Sequence, residues 1–175
     1  MASELGYGQP MGGVAQTAFV VPDLQAAIAR WTRDMRAGPF FVLPHFLVPG
    51  QVYRGTESKA DITLAMGFAG HMLIELIQPL DDQPSVYQET IRKRGYGFHH
   101  LGIACADVDA TSREYQARGY EEAFRGAVPT GGARTGVSSS CCRSRPAWTR
   151  PSPAFGKRHA AGTGPIPFAH LHKPR

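Results

Sequence analysis

Shifted by 84 residues, the chain falls on itself: Gln16 lands on His100, Asp23 on Asp107, Leu24 on Val108 and Trp31 on Tyr115. One such match is chance. Four in register, with the same strand, cap and helix order, indicate a duplicated module. In the first copy, residues 14–21 (VAQTAFVV) are β-branched and apolar and predict a strand. Pro22-Asp23 then opens a helix with Asp23 as its N-cap. Leu24, Ala27, Ile28, Trp31 and Met35 share one helical face, and Gly38-Pro39 ends it. In the second copy, His99–Ala106 predicts the strand and Asp107 the cap. Val108, Thr111 and Tyr115 form the stripe, and Gly119 closes the helix.

Between these openings lie three strand-like stretches, Phe46–Arg54, Ala60–Met66 and Met72–Ile77. Turns at Gly50, residues 55–58 and residues 67–70 separate them, which completes a β-α-β-β-β order. Pro84 to Arg94 predicts a short helix with Val86, Tyr87 and Ile91 facing inward. Tyr120–Val128 predicts the next strand. The expected organisation is therefore an extension over 1–12, a first module over 13–80 and a connector over 81–96. A second, truncated module covers 97–135, and a basic, Pro-rich irregular tail covers 136–175.

The tail explains a misleading charge. The chain carries +5, but residues 1–135 hold 12 Lys and Arg against 14 Asp and Glu, a balance of −2. Residues 136–175 hold 7 Lys and Arg, six prolines and no acid. The basic balance belongs to the tail, so a nucleic-acid partner does not follow from it. Such a composition cannot bury much surface; a reading-frame change near residue 136 would produce it. No apolar run reaches the length of a membrane span, and the first residues lack a signal-peptide pattern, so the expected location is cytoplasmic without membrane association. Cys105 lies in an apolar run and reads as a small buried residue, and adjacent Cys141 and Cys142 do not have zinc-site spacing.

The phrases QTAFVVPDLQAAIARW and HHLGIACADVDATSREY, with MLIELIQPL between them, resemble the vicinal oxygen chelate (glyoxalase, bleomycin resistance, dioxygenase) superfamily. The nearest flavour is its glyoxalase I and methylmalonyl-CoA epimerase branch. The resemblance covers about residues 13–130. It implies an α+β fold of two βαβββ modules forming a cupped mixed or antiparallel sheet, the second module incomplete here. It also implies a divalent metal (Co, Mn, Ni, Zn or Fe) in the cup and a homodimer. Each module supplies one ligand from its first strand and one from its last. Position by position, these are Gln16, His100 and Glu75. The fourth ligand, a carboxylate on the last strand of module two, has no Asp or Glu to fill it beyond residue 122. His159 falls opposite Glu75 by offset, but its surroundings do not read as a strand. Glu75 is then the one carboxylate left beside the metal to move a proton.

An amide oxygen, a carboxylate and an imidazole suit a borderline divalent ion. That ion would act as a Lewis acid toward two neighbouring substrate oxygens. Singly, each residue has a plainer reading. Gln16 alone is a hydrogen-bonded core amide, Glu75 a surface acid if its face meets solvent, and His100 a core histidine. Alternation sends one of His99 and His100 inward and the other outward. The joint placement points to a metal-dependent isomerase, epimerase or lyase acting on a small oxygenated substrate, impaired by the missing ligand. A non-catalytic module that sequesters a small molecule is the alternative. An extradiol-type dioxygenase is disfavoured by Gln16, because that chemistry uses two histidines and a carboxylate on iron.

Overall fold

The computed structural model describes residues 12–47, 50–130, 133–141 and 168–172. The two module openings fold alike. β1 (Val14–Val20) leads into α1 (Leu24–Met35), and β7 (Gly97–Ala104) leads into α3 (Val108–Ala117). Both helices start on an aspartate with extended backbone. Asp23 accepts from the Ala26 N–H at 2.9 Å and Asp107 from the Ala110 N–H at 2.8 Å. Each cap satisfies a donor that a first helical turn leaves open.

Module one continues through β2 (Phe41–Leu43), β3 (Val52–Tyr53), β4 (Thr56–Glu57), β5 (Ile62–Ala69) and β6 (Met72–Pro79). α2 (Val86–Arg94), capped by Ser85, joins the modules. Module two adds β8 (Phe124–Thr130), β9 (Ala133–Cys141) and β10 (Phe168–His172). Among the described residues these make one mixed sheet in the order β2-β5-β6-β1-β7-β10-β9-β8-β3-β4. The fold is α+β, with the two modules meeting where β1 pairs antiparallel with β7.

Alternation sends one face of module one's strands against α1. Leu24 with Ala65, Ile74 and Leu76 forms that core, and Ala27, Ile28 and Trp31 pack on it. The opposite face gathers Ala18, Ile62, Leu64 and Ile77. Tyr87 of α2 packs on this second cluster and also on Val86, Ala123 and Phe124. The first turn of the connector thus bridges the two modules.

Four expectations are corrected. Of the strand placed at Phe46–Arg54, only Val52–Tyr53 is a strand among the described residues. The apolar run is cut at Pro44, which cannot donate to a ladder, so β2 stops at Leu43 and pairs with β5. Residues 52–57 instead make a hairpin turning on Arg54 and Gly55, both at positive φ, and this hairpin pairs with β8 of module two. Met35 leaves the buried stripe of α1 because the helix ends there, Arg36 being left-handed, and it is exposed. In α3 the buried residue is Ser112, whose hydroxyl donates to Glu122, while Val108, Thr111 and Tyr115 are half-buried.

The fourth correction concerns the tail. The boundary expected after residue 135 falls inside β9, which pairs along β8 from Thr130↔Ala133 to Phe124↔Ser139. No proline falls within β9 itself, so that strand keeps all its N–H donors. β10 then pairs antiparallel with β7 and parallel with β9, whereas β6 pairs parallel with β1 and antiparallel with β5. The closing strand of module two therefore runs opposite to its counterpart. His159 and the rest of 142–167 lie outside the described residues.

Candidate functional site

The three expected residues meet. Ala18 of β1 has Glu75 of β6 beside it on one side and His100 of β7 on the other. Gln16 lies two residues along β1 on the same face, with Gly102 opposite. The small side chains decide the geometry. Ala18 leaves room between Glu75 and His100, and Gly102 leaves room for Gln16. A Cβ added at Gly102 would stand 2.7 Å from Gln16 Cβ and 3.0 Å from its Oε1.

Gln16 Nε2 donates to Glu75 Oε2 at 2.6 Å, and His100 Nε2 stands 3.4 Å from the same oxygen. Gln16, Glu75 and His100 are all buried, at 3%, 8% and 3% exposure. This removes the surface-acid reading of Glu75. Burial pushes the Glu75 carboxyl up to about 7, with the Gln16 amide pulling it back. Tyr87 is raised from its ordinary phenol value, first by burial and then by the nearby Glu75 charge.

His99 is the residue that sequence reasoning placed wrongly. Alternation allows one inward histidine, yet His99 and His100 are both buried, at 2% and 3%. The register explains it: Ala18 pairs with His100 and Phe19 with Phe98, leaving His99 as the extra residue of a β-bulge. Its Nδ1 lies 2.6 Å from His100 Nδ1, and its Nε2 lies 3.3 Å from the Val86 carbonyl. Tyr87 stacks on the His99 ring at 5.2 Å between centroids. Nothing in the local sequence marks a bulge, since Gly97 and Gly102 flank the histidines without fixing which residue is extra. Gly102 was equally silent, its role set by a partner 86 positions away.

The donor set has the chemistry a divalent ion needs. An amide, a carboxylate and an imidazole nitrogen converge from β1, β6 and β7 on one buried point. In the structure the amide NH₂ of Gln16 faces Glu75; a half-turn of that amide brings Oε1 to the same place. Among the described residues, no group of three or more His, Cys, Asp and Glu side chains is placed to hold a metal, so a site built from these residues includes the Gln16 amide. None of the helices among the described residues is long and apolar enough to cross a membrane.

The family model of the glyoxalase/bleomycin resistance protein/dioxygenase superfamily matches residues 15–137. It spans both module openings and ends just inside the stretch expected as a tail from residue 136. No curated protein matches the chain. Among solved structures, methylmalonyl-CoA epimerase from Mycobacterium tuberculosis is similar at 18% identity and TM-score 0.49, over 100% of this chain and 93% of that one. A hypothetical protein from Bacillus halodurans C-125 is similar at 15% identity and TM-score 0.48, over 93% and 94%. A Streptomyces coelicolor methylmalonyl-CoA epimerase variant in complex with 2-nitronate-propionyl-CoA follows at 17% identity and TM-score 0.41, over 69% and 75%.

Proposed function

The chain belongs to the glyoxalase/bleomycin resistance protein/dioxygenase superfamily, and on that premise we propose a metal-dependent isomerase, epimerase or lyase of glyoxalase type, weakened by an incomplete ligand set. The observation that carries this reading is the convergence of Gln16 and His100 on Glu75 Oε2, two residues from module one and one from module two. We assign Gln16, Glu75 and His100 as the protein ligands. A divalent ion held there would supply Lewis acidity toward two neighbouring oxygens of a small substrate. Glu75 is the base: it is the one carboxylate among the converging groups, buried and placed to accept and return a proton. Gln16 orients that carboxylate through its amide. Tyr87 and the apolar residues around Ala18 keep water from it.

A second reading, a cup that holds a small molecule without transforming it, is favoured by one observation. Beyond residue 122 the chain has no Asp or Glu, so the closing strand of module two brings no second carboxylate. The homodimer reading is supported by β2, an edge strand whose Phe41, Val42 and Leu43 are all exposed.

The test is a Co²⁺ and Mn²⁺ titration of the wild type beside His100→Ala and Glu75→Ala, with turnover of 2-oxoaldehyde hemithioacetals and 2-methyl-branched acyl thioesters. Loss of binding in both variants with turnover in the wild type supports the enzyme. The same loss without turnover selects the non-catalytic cup. Equal affinity in all three proteins removes the metal site.

A further inference from the structure

We propose that His99 fixes the tautomer of His100, holding the proton on His100 Nδ1 so that Nε2 is presented as a bare lone pair toward Glu75. The argument follows protons from a fixed end. The Val86 carbonyl can only accept, so the His99 Nε2 that faces it at 3.3 Å must carry hydrogen. In a neutral ring the other nitrogen, Nδ1, is then an acceptor. It stands 2.6 Å from His100 Nδ1, a distance at which one of the two atoms must donate. His100 therefore donates from Nδ1, and its Nε2 is left without hydrogen. That is the nitrogen 3.4 Å from Glu75 Oε2.

Two features of the fold hold this chain of contacts. The bulge in β7 puts both imidazoles on one side of the sheet, where a regular strand would separate them. The first turn of α2 supplies the anchoring carbonyl and the Tyr87 ring that packs on His99. The connector between modules thereby sets which nitrogen of a module-two side chain is available. An imidazole that binds a metal characteristically gives its other N–H to a fixed acceptor, and losing that acceptor lowers affinity about 10- to 100-fold. Here the acceptor is a second histidine, in turn fixed by backbone. The tautomer lock itself is independent of the proposed function; only its consequence for metal affinity rests on that reading. His99 is a positioning residue in this scheme.

The experiment is long-range ¹H–¹⁵N correlation of the imidazole rings in the metal-free full chain, at a pH where both rings are neutral. The proteins are the wild type, His99→Phe and His99→Asn, with His100→Ala to assign the His100 signals. Phe keeps a ring under Tyr87 but accepts nothing; Asn can place an oxygen where Nδ1 was. The expected result is Nδ1–H on His100 in the wild type, a shift to Nε2–H in His99→Phe, and recovery in His99→Asn. Co²⁺ affinity should fall about 10- to 100-fold in His99→Phe and recover in His99→Asn. Nε2–H on His100 in the wild type overturns the proposal even if neither variant folds, and so does unchanged Nδ1–H in His99→Phe. If the tautomers shift as expected while no protein takes up Co²⁺, the lock stands and the metal reading falls.

Discussion

The two modules start as copies and end as different objects. Their caps share one geometry, and their first strands face each other as Gln16 faces Gly102 and Ala18 faces His100. At the far end, β6 runs parallel to β1 and carries Glu75 into the site, whereas β10 runs antiparallel to β7. The contrast separates what a strand–cap–helix unit guarantees from what the closing strand adds. In the proposed site, the opening of each module delivers one donor from its first strand. The second donor depends on a parallel partner in register. Among the described residues, α1 packs leucine, isoleucine and tryptophan onto its sheet, and α3 buries Ser112 and hydrogen-bonds it to Glu122.

Breaking each interior should give unequal losses. Leu76 is fully buried beneath α1, and Leu76→Ala should lower stability by ~2–5 kcal/mol through lost contacts and the cavity left behind. Ser112→Ala should cost only about 1 kcal/mol, because Glu122 keeps its two bonds to Arg125. Urea unfolding of the two variants reads the difference. Equal losses would show that module two carries as much of the core as module one.

The closing strand of module one makes its own prediction. Glu75 is raised from 4.5 to about 7, chiefly by burial. A carboxyl raised in the fold contributes stability that is fully present below pH 4.5 and is lost as pH climbs through 7. That loss is ~3 kcal/mol by linkage. Glu75→Gln should abolish it, so the variant gains on the wild type across this window. Glu89, drawn down to about 2 by Arg54, Lys93 and Tyr53 against its own burial, titrates below the window. Parallel stability curves for wild type and variant between these pH values would place Glu75 in water.

The seam between modules should be intermediate. Gly102→Ala drives a Cβ to 2.7 Å from Gln16 Cβ, a contact that no rotamer of Gln16 relieves. Overpacking of this kind costs ~1–3 kcal/mol. The strain should also push the Gln16 amide off Glu75, weakening Co²⁺ binding along with stability. Unchanged stability would mean that β1 and β7 slide to accommodate the methyl group.

How much of this was legible follows from which physics each feature obeys. Gln16, Glu75 and His100 were singled out together by the family resemblance, with the 84-residue offset matching only Gln16 to His100; that the three side chains meet follows from the pairing of β1 with β6 and β7. His99 could not be read, because a bulge is decided by the register between β7 and β1, and alternation within β7 is blind to it. β2 was missed for a different reason. Pro44 splits an apolar run whose two halves look alike, and pairing with β5 selects the first half. The crossing of the 52–57 hairpin to β8 depends on contacts some 70 residues away and leaves no mark on its own sequence. β9 was read as tail because composition was weighed above pairing; a strand of serines needs only backbone partners.

The smallest prediction tests the sameness of the module openings. Asp23 and Asp107 have nearly identical backbone angles, φ −140° and ψ 111° against φ −137° and ψ 109°, and each accepts from the N–H three residues on. Replacing either by alanine removes one cap bond and one charge favourable to the helix N-terminus. Each change should cost about 1 kcal/mol. Asp23→Ala should cost no more than Asp107→Ala, because the first turn of α1 is also held to the closing strand β6, where the Leu24 N–H donates to Gln78 Oε1 at 2.8 Å and Leu24 packs on Ile74 and Leu76. The two losses should also add in the double variant, since the caps share no partner. Chemical denaturation of the two single variants and the double one measures all three numbers. A large loss for Asp23→Ala with none for Asp107→Ala would mean that α3 is held by something other than its cap, and the likeness of the two modules would then end at their first strands.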